Sequence, residues 1–131
     1  MRAKILASLY IITLFVIVLI ADHKKYHHLF DRIRAVPYGD KIGHFLLMGT
    51  LALVVNILFS CKTFRVRSMQ IFIGSLVVAV LVTIEEFSQL FIAYRTFDFG
   101  DLTADYLGIL LFTYLAKYLR QKINVGFKES A

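Results

Sequence analysis

Hydrophobic and polar positions alternate in long blocks along this chain. Residues 5–21 carry no charge, and Arg2 and Lys4 stand just before them. A second apolar run covers 42–61, with His44 in its first turn. The third starts at Met69, stays uncharged to Ile84, then meets Glu85, Glu86 and Gln89 and ends near Ile92. The fourth runs from Leu102 to Ala116, with Asp105 inside it and Lys117 and Arg120 beyond, giving a span of about 102–119. At ~1.5 Å per residue, helices of these lengths reach across a hydrocarbon core of ~30 Å, the last only just. The pattern predicts an all-α membrane protein: four transmembrane helices in one up-and-down bundle, a single domain over 1–131. The first run also has the form of a signal peptide. It is long for one, however, and Leu19 and Ala21 make a poor small-residue cleavage pair, so an uncleaved signal anchor is expected.

Composition supports lipid as the solvent. Of 131 residues, 59% are apolar and 18% are charged, with a mean hydropathy of +0.71. A soluble domain this small has too little interior to hide that much apolar surface. The net charge of +6 does not point to nucleic acid, because Lys and Arg flank the apolar runs and form no aromatic-interleaved basic patch. Cys61 stands alone, so an intrachain disulfide is excluded.

The connections set an orientation. Arg2 and Lys4, then Lys62, Arg65 and Arg67, then Lys117, Arg120, Lys122 and Lys128 lie on one side, while residues 93–101 hold a single Arg95. Positive-inside asymmetry places both termini in the cytoplasm of a bacterial inner membrane, N-in and C-in. The extracytoplasmic connection 22–41 opposes this, with Lys24, Lys25, Arg32, Arg34 and Lys41. It also holds His23, His27 and His28, expected to be a wet loop rather than a metal site. Tyr26–Ile33 has the spacing of a short interfacial helix, and Pro37 and Gly39 signal a turn.

Threading brings distant residues to one level. The start of the second span, the end of the third and the start of the fourth face the same side. His44, Glu85, Glu86, Gln89, Arg95, Asp98, Asp101 and Asp105 therefore meet near the outer headgroups. Residues 85–105 hold five acids and one Arg, a balance of −4, against +10 for the rest of the chain. Asp98, Asp101, Asp105 and Gly108 fall on one helical stripe, as do Glu86 with Gln89 and Asp40 with His44. Charges within apolar runs turn away from lipid, so these stripes should face one another, with Arg95 as counter-ion. The plainer alternative makes Asp98 and Asp101 helix caps and Glu85 a wetted helix end.

The ordered set Asp40-Lys41-x-x-His44-Phe45, Glu86-x-x-Gln89 and Arg95-x-x-Asp98-x-x-Asp101-Leu102-x-Ala104-Asp105-x-x-Gly108 resembles the VanZ-like family of bacterial membrane proteins. The resemblance covers residues 40–112. Asp105 stands where the family pattern usually has Asn, and Phe112 where it has a small residue. The family's founding member is associated with low-level resistance to teicoplanin, a lipoglycopeptide, so the resemblance implies a cell-envelope protein and no established reaction.

Three functions follow as expectations. The first is recognition of a lipid-anchored envelope molecule or lipoglycopeptide through His44, Glu86, Gln89, Arg95, Asp98, Asp101 and Asp105. The second is an enzyme on a lipid-linked substrate, with Glu86 or Asp101 as general base and His44 as acid or metal ligand. The third is a structural subunit whose membrane-protein partner the sequence does not name. No Ser-His-Asp order, phosphate loop, metal motif or cofactor motif is present.

Overall fold

The computed structural model describes residues 2–21, 35–93 and 96–129. Four helices dominate it: α1 (Arg2–Ala21), α2 (Gly39–Leu58), α3 (Ile73–Ser88) and α4 (Phe99–Glu129), with a hairpin of β1 (Thr63–Val66) and β2 (Met69–Phe72) between α2 and α3. A single 3₁₀ turn, Gln89–Phe91, extends α3. Among the described residues, two segments, Gly39–Leu58 and Ile73–Phe91, are long and apolar enough to cross a membrane. The connection 22–34 lies outside the described residues, and with it His23, His27, His28 and the segment Tyr26–Ile33; so does Arg95.

Element bounds differ from the sequence reading: α2 runs Gly39–Leu58 rather than 42–61, and two further differences are larger. Residues 69–72 do not begin a helix; they pair antiparallel with 63–66, Val66 opposite Met69 and Thr63 opposite Phe72. The two-residue turn Arg67-Ser68 closes the hairpin, with Arg67 at φ 53°. An uncharged four-residue stretch with Met69, Ile71 and Phe72 apolar looks alike as a short strand and as a helix start, so periodicity cannot separate them. The α4 helix, in turn, starts at Phe99 and continues to Glu129, because the charged tail contains no proline to stop it.

Packing explains where the polar residues go. Helices α2 and α4 share the most extensive contact, and α3 packs on both. Ala52, Val78, Val82 and Ile109 form the core. Close approach of α2 and α4 depends on Gly108, where an added Cβ would collide with the carbonyl oxygen of Phe45. Phe112, bulky where the family pattern is small, lies over Gly49, whose missing side chain leaves space for the ring. It also packs edge-on to Phe45, 6.0 Å between centroids.

The surface inverts the usual arrangement. Leu76, Val80, Leu81 and Ile84 of α3 and Leu107, Leu110, Leu111 and Tyr114 of α4 face outward, while Asn56, Glu86, Gln89, Asp105 and Thr113 are buried. Apolar exteriors of this extent suit lipid. A buried polar knot holds the hairpin end of the bundle. Asn56 donates to Ser75 Oγ at 2.7 Å, and the Ser75 and Thr113 hydroxyls are 2.5 Å apart. Such interhelical bonds between small polar residues are a common device in membrane bundles.

Candidate functional site

The opposite end of the bundle carries the acidic residues. There α2 and α4 begin side by side and α3 ends. The first turn of α4 is fixed by Asp98, whose Oδ1 accepts from the Gly100 amide at 2.7 Å; this is the helix-cap role, since one side-chain oxygen satisfies an orphan N–H. Its other oxygen, Oδ2, takes the Lys41 ammonium at 2.7 Å, and Lys41 also reaches Asp101 Oδ1 at 3.0 Å. Lys41 and the Gly100 amide together hold the Asp98 carboxyl below the ordinary carboxylate range. The depressed value means that this pairing contributes stability above the ordinary carboxylate pKa. That contribution is lost as pH falls through the depressed value.

One turn along α2 from Lys41 stands His44. Its Nδ1 is 3.1 Å from Asp105 Oδ1 and 3.3 Å from Oδ2. A carboxylate accepts only, so in the neutral imidazole paired with it Nδ1–H is the donor and Nε2 carries the lone pair. Nε2 points to the Asp101 side, 3.9 Å from Oδ2. From α3, Glu86 brings Oε1 to 3.8 Å from His44 Nδ1. Gln89 donates to that same Glu86 oxygen at 3.0 Å and to Glu85 at 3.2 Å. Glu86 and Asp105 have no solvent exposure at all. The second Glu86 oxygen, Oε2, has no hydrogen-bond partner among the described residues.

The structure thus groups His44, Glu86, Gln89, Asp98, Asp101 and Asp105, with Glu85 linked through Gln89. The sequence reading overlooked Lys41, taking it for a topology charge. Its signal was the three-residue spacing to His44, which places both on one face of α2. Single atoms of His44, Glu86 and Asp101 lie within 4.8 Å of one another, a set of metal-ligating types. Chemically the cluster can accept a cation, orient a proton on His44 through Asp105, or take hydrogen bonds from a polar ligand.

These features define a helical membrane protein with a buried acid–histidine cluster at one end of its bundle. The chain belongs to the VanZ/LLP1 family, whose model matches residues 6–120. It is similar to the uncharacterized protein C11E3.10 of Schizosaccharomyces pombe, 38% identical over 77 residues, which are 58% of this chain and 45% of that protein. The chain therefore matches less than half the length of this relative. No solved structure matches it.

Proposed function

We propose that this protein binds the polar headgroup of a lipid-anchored envelope molecule, at the outer face of a bacterial inner membrane, through the cluster around Glu86. The observation that carries this reading is the burial of Glu86 and Asp105 on helices that otherwise present apolar residues to lipid. A charge at that depth costs several kcal/mol unless it is offset, which makes an intramembrane acid a functional-site candidate. Four transmembrane helices with both termini inside fit this reading. The basic hairpin, with Lys62, Arg65 and Arg67, then lies at the cytoplasmic end and the acidic cluster at the outer end.

An enzyme acting on a lipid-linked envelope substrate is the second reading. It is favoured by the His44–Asp105 hydrogen bond, which fixes the imidazole as an acid–base histidine requires. Both readings need the cluster on the outer side. In a Cys61→Ala background, Thr96→Cys should react with an impermeant thiol reagent in intact spheroplasts and Ser68→Cys should not. The reverse labelling would remove the orientation and the outer-leaflet site together. Binding itself is read by lipid retention. The full chain is purified from phosphatidylcholine vesicles doped with phosphatidylglycerol, with phosphatidylethanolamine or with undecaprenyl phosphate, and bound lipid is measured by mass spectrometry. One doped lipid should be enriched over phosphatidylcholine; equal retention of all would defeat the recognition reading.

A further inference from the structure

We infer that His44, Glu86 and Asp101 hold one divalent transition-metal ion, zinc or manganese in class, and that Asp105 orients its histidine ligand. The donors come from three helices that only the folded bundle brings together, each offering one atom within 4.8 Å of the others. Two ligands held at about 2.1 Å from one ion sit about 3–4 Å apart. The 3.9 Å between His44 Nε2 and Asp101 Oδ2 already falls in that range. Glu86 offers its atom within 4.8 Å of the other two, so a side-chain adjustment of about an ångström brings it into that range.

Every atom around the ion already has a division of labour that suits it. Lys41 occupies Asp101 Oδ1, leaving Oδ2 turned to His44. Asp105 takes the Nδ1–H of His44, the carboxylate–histidine arrangement that fixes the tautomer and raises the basicity of the ligating nitrogen. Gln89 holds Glu86 Oε1. Glu86 Oε2, on a side chain with no exposure, has no hydrogen-bond partner among the described residues. A fully buried carboxylate oxygen with no donor among the described residues is costly, and a bound cation would offset that cost.

Charge leads to the same conclusion. Lys41 serves Asp98 and Asp101 and also lies 3.7 Å from Asp40. It has no ion pair with Glu86 or Asp105, so with a neutral His44 the two buried carboxyl groups meet no cation among the described residues. A dication offsets both. Imidazole with carboxylates suits zinc and manganese, and three protein ligands leave a coordination position open. That position would take a phosphate oxygen of the headgroup. This last step rests on the recognition proposed above, whereas the ion itself does not.

The test uses the full chain without a polyhistidine tag, in lipid nanodiscs, stripped with EDTA and titrated with Zn²⁺ by calorimetry and with Mn²⁺ by electron paramagnetic resonance. The expected result is one ion per chain. Glu86→Gln and His44→Gln should weaken binding at least tenfold, and Asp105→Asn by about 10–100-fold. A combined His23→Gln, His27→Gln, His28→Gln variant should bind as the wild type does. Should the site variants fail to fold, the wild-type Mn²⁺ spin-echo signal should still show coupling to one imidazole nitrogen. No saturable binding, no imidazole coupling, unchanged affinity in Glu86→Gln, or loss in the loop-histidine variant would each overturn the site. Lipid retention with and without EDTA separates the two proposals. Lipid lost with the ion supports the bridge; lipid kept without it overturns the bridge and leaves recognition standing. An ion bound with no lipid enriched defeats recognition alone.

Discussion

Gly108→Leu should remove most of the protein from the membrane. At this position α4 meets α2 so closely that even a single added carbon collides with the Phe45 carbonyl oxygen. That obstacle is backbone and cannot rotate away as a side chain would, so one helix must move. Overpacking costs about 1–3 kcal/mol where neighbours can yield, and more where they cannot. Displacing α4 would also separate Asp105 from His44 and Asp101 from Lys41, adding unpaired buried charge. Membrane abundance by immunoblot and unfolding temperature in detergent read the loss. Gly43→Leu is the control, because nothing lies within 4 Å of an added Cβ there, and it should be tolerated. Equal abundance of the two variants would mean that α2 and α4 are not packed as described.

Lys41→Met should destabilise the bundle by about 1–3 kcal/mol, between the values for exposed and buried pairs. The magnitude is intermediate because the lysine side chain is 30% exposed, Asp98 47% and Asp101 14%. Its two partners should therefore differ. A double-mutant cycle with Asp101→Asn should give the larger coupling, and one with Asp98→Asn a smaller value, within about 1 kcal/mol. Water can solvate the exposed Asp98 once the lysine is gone, and the Gly100 amide still holds its other oxygen. Equal couplings, or none, would show that the ion pairs do not tie α2 to α4.

How much of this was legible in the sequence depends on the kind of signal. The grouping of His44, Glu86, Asp101 and Asp105 could be drawn from apolar runs and helical spacing. Charges inside such runs must turn inward, and threading alone sets which helix ends meet. Lys41 was hidden because a lysine just before an apolar run is what membrane topology produces, and its partners lie 57 and 60 residues away. Arg95, the expected counter-ion, lies outside the described residues, and Lys41 fills that role for Asp98 and Asp101. The hairpin was hidden for another reason: Met69–Phe72 joins the uncharged run of α3 without a break, and only pairing with Thr63–Val66 makes it a strand. Asn56, Ser75 and Thr113 were each readable as lone small polar residues. Their bonding to one another is a tertiary fact.

Whether the cluster works as a binding site or as a structural joint is decided most directly by Glu86→Gln, with stability and lipid retention measured on the same preparation. The substitution keeps shape and lets Gln89 remain hydrogen-bonded, while it removes a buried acid whose Oε2 has no hydrogen-bond partner among the described residues. The binding account predicts abundance and unfolding temperature equal to or above those of the wild type, together with loss of the enriched lipid. A variant that is less stable than the wild type yet still retains its lipid would contradict that account.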